Sequence, residues 1–306
     1  MKDMLKIGII GLGDIARKAY LPVICSRELE IHLFTRDSEK LYSIGRQYRI
    51  SNLHLSLDSI LRSGVKGVFV HTATESHEYI IEQLLLNNIH VYVDKPITNN
   101  YDSAGRLSEL AESRGLILMT GFNRRYAPAY REIKQMHDVN MIILQKNRHS
   151  LPGDIRTFVF DDFIHVLDTL LFLFDQPVKE LIVRGMKDGN KLLHVMVQLI
   201  AENGAVAMGI MNRESGILEE KLEVFSPDEK RTVINLTESK VNRIKTETST
   251  GFNDWESTLS KRGFEAVVSD FLYALETDTK PGISISDSLV THELCEEVVK
   301  QLSVSG

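Results

Sequence analysis

Leu5 to Ile10 reads LKIGII, a short and nearly continuous apolar run that ends in Gly11-Leu12-Gly13-Asp14-Ile15-Ala16, followed by helix-compatible residues to about Cys25. This strand, glycine turn and helix constrain the fold more than any other stretch, because a run of that kind belongs to a sheet covered on both faces. The first glycine permits a tight turn, the second lets another group approach the backbone, and Ala16 allows close helix packing. The helix N-terminus then offers unpaired N–H groups to an anion. A dinucleotide's pyrophosphate suits such a turn, and Gly11, Gly13, Asp14 and Ile15 stand where they would hold it. A glycine turn in an unrelated α/β domain is the competing reading, which the position directly after a first strand disfavours.

The alternation continues. Strands are expected at Glu30 to Phe34, Gly67 to His71, Ile89 to Val93 and Leu116 to Thr120, with helices at Thr74 to Leu86 and Tyr101 to Arg114. This spacing predicts a doubly wound parallel sheet with right-handed crossovers. The 306 residues leave room for two domains. The periodicity changes after Gly121, which sets the expected domains at 1–121 and 122–306. In the second, turn signals at Asp188-Gly189, Asn203-Gly204, Ser215-Gly216 and Pro227-Asp228 separate apolar runs and predict an antiparallel meander. Its middle strands, LLHVMVQLI and VAMGIM, are apolar on both parities, so one face is free to meet a second subunit. A homodimer or homotetramer through this sheet is therefore expected.

Candidate chemical residues fall at strand ends and on one helix. After the second strand the chain reads Thr35, Arg36, Asp37. Thr35 and Arg36 suit a 2′-phosphate and favour NADP over NAD, while Asp37 either reaches a ribose or caps the next helix. Thr72 and Ala73 follow another strand, and His77 is either a cofactor contact or a helix-surface residue. In HVYVDKPIT, from His90 to Thr98, proline ends the ladder and holds Asp94 and Lys95 at a carboxyl strand end, the edge where ligands of open α/β sheets bind. In the stretch from Asp161 to Phe174, Asp161, His165 and Asp168 at i, i+4 and i+7 share one face of an otherwise apolar helix. The alternative has Asp161 or Asp162 as a helix cap and the imidazole tied locally. Zinc is disfavoured because no further His or Cys stands at ligand spacing. Lys146, Arg148, His149 and Arg156 form a basic stretch; lining a cleft, it would favour a carboxylate or phosphate. Arg124 and Arg125 could serve cofactor or substrate, and Trp255 is either a stacking lid or a packed loop aromatic.

The net charge of −6 gives no general attraction to nucleic acid or anionic membrane. Two cysteines without CxxC spacing read as free thiols in a reducing, cytoplasmic setting. Neither a signal-like segment nor a membrane span is expected.

GxGxxA at Gly11 to Ala16, HTATESH at His71 to His77, DKP at Asp94 to Pro96, GFNRRYAP at Gly121 to Pro128 and DDFIHVLD at Asp161 to Asp168 resemble, in order, the Gfo/Idh/MocA oxidoreductase family, and within it the bacterial subgroup labelled MviM. The resemblance implies an N-terminal Rossmann domain, a C-terminal α/β domain with an open, largely antiparallel sheet, and NAD(P). It also implies a catalytic lysine, matched by Lys95, and a catalytic aspartate and histidine, matched by Asp161 and His165. Asp94 replaces the family's glutamate, and Phe163 stands where many members have glycine, so a bulkier pocket wall is expected. The function implied is hydride transfer between NAD(P) and a secondary alcohol or ketone of a sugar, polyol or related small molecule. Two alternatives stay open: redox-neutral glycoside cleavage with tightly bound NAD, and a non-catalytic NADP(H)-responsive regulatory protein.

Overall fold

The computed structural model describes residues 4–252 and 255–304. They form two compact units, one of residues 1–122 with 264–292 and the other of 123–263 with 293–306. The continuous cut expected from the sequence differs from this in one respect, since 264–292 groups with the first unit.

The first unit holds six parallel strands: β1 (Lys6–Ile10), β2 (Glu30–Phe34), β3 (Asn52–His54), β4 (Gly67–Val70), β5 (His90–Val93) and β6 (Leu118–Thr120), in the order β3-β2-β1-β4-β5-β6. This is the Rossmann order, and the switch between β1 and β4 opens the crevice at their carboxyl ends. Asp37, Ser56 and Asn100 cap the helices Ser38–Tyr48, Leu57–Leu61 and Tyr101–Ser113 with their side chains. One sheet face buries Val68, Val70, Val91 and Val93 against Ile81, Leu84, Ala104 and Leu107. The other is aromatic: Phe271, from the helix Phe264–Thr277, lies 5.0 Å from Phe69 and 5.6 Å from Tyr92 between ring centroids. That helix comes so close that a Cβ on Gly67 would sit 2.6 Å from Leu275. Covering this face is what joins 264–292 to the Rossmann sheet.

The second unit carries eight strands: β7 (Met141–Asn147), β8 (Val178–Asp188), β9 (Lys191–Ala201), β10 (Val206–Asn212), β11 (Glu219–Phe225), β12 (Lys230–Ile234), β13 (Glu238–Arg243) and β14 (Thr246–Gly251). Their order is β14-β13-β12-β11-β7-β10-β9-β8. The hairpin glycines Gly189 and Gly204 take φ of +56° and +87°, as the Asp-Gly and Asn-Gly signals require. The expected meander is interrupted once. β7 inserts between β10 and β11, running parallel to the first and antiparallel to the second, so Ser215-Gly216 crosses over β7 instead of closing a hairpin. The physical reason is that β7 alternates Ile142, Leu144 and Lys146 towards the buried face, and only a central position covers that row. Against it packs the helix Ile164–Phe174; a Cβ on Gly209 would lie 2.8 Å from both Leu170 and Val166.

Candidate functional site

Gly11 leaves β1 at φ +88°, and a Cβ there would lie 2.6 Å from the His71 carbonyl carbon and the Thr72 nitrogen. Only glycine fits. Gly13 is the opposite case, because a Cβ would meet nothing within 4 Å. It opens a space beside the exposed Asp14 and Ile15, at the start of a helix that runs through Ala16–Tyr20 with π winding into Leu21–Ile24. Open backbone at a helix N-terminus fits a pyrophosphate. Thr35 is half-buried after β2 and Arg36 is exposed. Asp37 is the helix cap, its carboxylate accepting from the Lys40 N–H at 3.0 Å and meeting Lys40 Nζ at 3.3 Å.

At the carboxyl ends of β4, β5 and β6 the polar groups are mostly neutral. Both His71 ring nitrogens, Thr72 Oγ1 and Thr120 Oγ1 are buried and make no hydrogen bond among the described residues. His71 stacks on Tyr20 at 3.9 Å, and burial pushes its pKa down to about 3, so the ring is uncharged. The hydroxyls of Tyr20 and Tyr92 pair at 2.9 Å, and Tyr20 donates to Asp94 Oδ1 at 3.4 Å. Burial raises the Asp94 pKa against the opposing pull of Lys95. A Cβ on Gly121 would fall 2.7 Å from the Tyr92 hydroxyl and 2.9 Å from that of Tyr20, which explains the glycine of GFNRRYAP.

Lys95 follows β5 half-buried, and the Lys95–Pro96 peptide is cis. Two histidines pin this turn. His77 is buried, not on the helix surface; its Nδ1 lies 2.9 Å from the Pro96 carbonyl oxygen and its Nε2 3.1 Å from that of Thr72. Both nitrogens are taken, so the role left to His77 is to hold the Thr72-Ala73 turn and the DKP turn together. His292 Nδ1 donates to the Ser288 carbonyl at 2.7 Å, leaving Nε2 to accept from the Ile97 N–H at 2.9 Å. Burial draws its pKa down to about 4, in keeping with that neutral form. His292 and Tyr20 escape sequence reasoning, since each lies far along the chain from the motif it supports.

In the second unit the helical stretch begins earlier than expected, at Ile155. Its cap is Asp154, which accepts from the Thr157 N–H at 3.0 Å, so neither Asp161 nor Asp162 is a cap. Pro152-Gly153 just upstream was the available signal. The run passes through Ile155–Phe158, a π-wound Val159–Phe163 and Ile164–Phe174. From Phe158 to Leu170 every residue is buried except Asp161 and His165. One turn apart, those two make the open face of the helix. Asp168 does not share it. Helical spacing alone would bring it to that side, but its carboxylate is buried and taken by Arg125 at 2.8 and 3.0 Å.

The cations also depart from expectation. Arg124 does not reach out to a ligand, because it is buried and bonded to Glu220 at 2.6 and 2.8 Å, with the Tyr130 hydroxyl donating to the same carboxylate at 3.0 Å. Arg156 is held by Glu296 at 2.6 and 2.9 Å. Lys146, Arg148 and Arg213 all converge on Asp162, at 2.5, 3.0 and 3.2 Å. Sequence reasoning did not single out Glu220, Arg213 or this use of Asp162; the partners are brought together only by the insertion of β7. Trp255 is 94% exposed, which excludes the packed loop aromatic. Cys25 and Cys295 are free thiols. Among the described residues, no helix is long and apolar enough to cross a membrane.

A Rossmann sheet with this glycine turn, joined to a second unit built on a mixed eight-stranded sheet, defines the class of two-domain nicotinamide-dependent oxidoreductases. Residues 5–122 match the oxidoreductase family with NAD-binding Rossmann fold, and 128–244 match the YceM-like C-terminal domain. The chain belongs to the Gfo/Idh/MocA oxidoreductase family. It is 30% identical to a Salmonella typhimurium protein, YceM, provisionally named an oxidoreductase, over 95% of this chain and 96% of that one. The solved structure of the dehydrogenase MviM from Clostridium difficile superposes with a TM-score of 0.92 at 31% identity, covering 97% and 99% of the two chains. UDP-N-acetylglucosamine 3-dehydrogenase from Acidithiobacillus ferrooxidans is 26% identical over 66% of this chain and 65% of its own.

Proposed function

We propose that the protein transfers a hydride between NADP(H) and a secondary alcohol or ketone of a sugar, polyol or related small polar molecule. The observation that carries this reading is the pairing of an open glycine turn at Gly11 and Gly13 with a strand-end lysine pinned on both sides, Lys95 in the DKP turn. The named activity of the Acidithiobacillus relative on a sugar nucleotide supports the substrate class. Gly11, Gly13, Asp14, Ile15, Thr72 and Ala73 would hold the dinucleotide, with the Thr72 hydroxyl ready to bond it. When bound, nicotinamide gives or takes the hydride at C4.

Lys95 and His165 exchange the hydroxyl proton at Nζ and at an imidazole nitrogen, and Asp161, one turn from His165, orients the ring. The Thr169 hydroxyl donates to the His165 carbonyl at 2.7 Å and steadies that turn. The preference for NADP rests on Asp37: its carboxylate is committed to the helix cap, leaving Thr35 and Arg36 to meet a 2′-phosphate. Turnover of NADP(H) and NAD(H) against a panel of sugars, polyols and keto acids tests the reading. A substrate turned over faster with NADP(H) is expected, and cofactor binding without any turnover across the panel would count against an enzymatic role.

A homodimer or homotetramer is part of the proposal. Ile143, Met196, Ile200, Met208 and Ile210 are half-exposed along one face of the second sheet, a surface a second copy would cover. A monomeric mass by light scattering would remove it.

A further inference from the structure

β7 and β10 run parallel and end in register at Asn147 and Asn212. Lys146, Arg148 and Arg213 therefore leave the sheet at one edge, where the single carboxylate of Asp162 faces all three. The other basic groups nearby are already neutralised, Arg124 by Glu220 and Arg156 by Glu296. Lys146, Arg124, Arg148 and Arg213 stand against the two carboxylates Asp162 and Glu220, an excess of two positive charges when Lys146 is protonated and of one when it is not. An uncompensated charge out of water is costly, and Lys146 and Arg213 are 3% and 6% exposed.

Two further observations indicate what the excess is for. Arg213 Nε is a buried donor with no acceptor among the described residues, although the same guanidinium lies over the Phe158 ring at 4.3 Å and reaches Asp162 through Nη2. Arg148 is the outlet of the cluster: its side chain is 39% exposed, and its bonds to Asp162 run through Nε and Nη2. Burial, with the neighbouring charge of Arg124, lowers the Lys146 pKa to about 7 even beside Asp162. A cluster so disposed is short of an anion.

We propose that Arg148, backed by Arg213 and Lys146 on Asp162, is a recognition point for a carboxylate or phosphate carried by the substrate. The inference rests on the oxidoreductase reading for the word substrate, and it narrows that reading from polar molecules in general to acidic ones. A planar guanidinium matches either oxyanion through charge-assisted hydrogen bonds.

Calorimetric titration of the full chain saturated with NADPH tests it, with D-gluconate, glucose 6-phosphate and D-glucose as probes. At least one acid is expected to bind where neutral glucose does not; gluconate alone would indicate a carboxylate and glucose 6-phosphate alone a phosphate. Arg148→Gln should weaken that binding roughly tenfold or more, and Arg148→Lys should restore part of it. Absence of binding by both acids, or equal affinity in wild type and Arg148→Gln, overturns the proposal. NADPH binding read in the same samples separates the two levels: retained, it leaves the oxidoreductase reading standing while the anion site falls, and lost from the wild type, it removes both.

Discussion

At the carboxyl ends of β4, β5 and β6 the side chains are mostly tyrosines, threonines and histidines, several of them without hydrogen bonds among the described residues, around the half-buried Asp94 and Lys95. At the carboxyl ends of β7 and β10 they are arginine, lysine and aspartate, nearly all of them paired. The first edge is low in charge and holds its turn with directional bonds from His77 and His292. The second is held by charge itself. A dinucleotide brings its own charges and needs open donors, so the first edge suits it. An edge with surplus cations and few open donors selects by charge instead. The same parallel-strand geometry thus yields a receptacle in one sheet and a charge clamp in the other.

The widest test of that contrast compares adjacent residues. Asp162→Ala leaves the buried Lys146 and Arg213 and the part-exposed Arg148 facing each other without a carboxylate and should cost about 3–5 kcal/mol, read as a lowered denaturation midpoint. Asp161→Ala, on the open helix face, should keep the midpoint and lose turnover. Equal destabilisation by both would erase the distinction. Next come the proton-handling groups: Lys95→Ala and His165→Ala should each lower turnover roughly a hundredfold, about 2.7 kcal/mol, while NADP(H) affinity measured by fluorescence is retained. Near wild-type turnover in either variant would exclude that residue.

Acid gives the smallest and most graded effect. Burial works to raise the Glu220 pKa, but the Arg124 guanidinium outweighs it and holds it at about 2, below its ordinary 4.5. A depressed carboxyl stabilises the fold above its unfolded pKa and loses that contribution as pH falls through the folded one. Stability of the second unit should therefore decline between about pH 4.5 and 2. Glu220→Gln should flatten the decline in a urea titration repeated at each pH, and an unchanged slope would show that the charge clamp is not what acid attacks.

How much of this was legible in the sequence differs between the two units for physical reasons. In the first, local signals suffice: a glycine with positive φ, a proline ending a strand and apolar runs of fixed length place five of the six strands. β3 was not anticipated because Asn52–His54 is three residues long and carries no apolar pattern. In the second unit the hairpins were legible from Asp-Gly and Asn-Gly, but the insertion of β7 was not, since nothing local records which distant strand pairs with it. The charge clamp followed it out of reach. Asp162 was visible as a helix residue and Lys146 and Arg148 as a basic stretch, yet their meeting depends on where β7 lies. Asp168 was misplaced because helical spacing locates a face and says nothing of Arg125.

The central position of β7 also sets a timetable. Its two neighbours, β10 and β11, are completed only at residues 212 and 225, long after Met141–Asn147 has emerged in synthesis. Pairings of such sequence separation form slowly, and meanwhile both edges of β7 lie bare and open to wrong partners. A ribosome pausing between residues 147 and 225 would leave a nascent chain whose Rossmann strands are all present while the core of its second sheet waits. Chaperone demand and aggregation should therefore rise with pauses in that window more than with pauses anywhere before it.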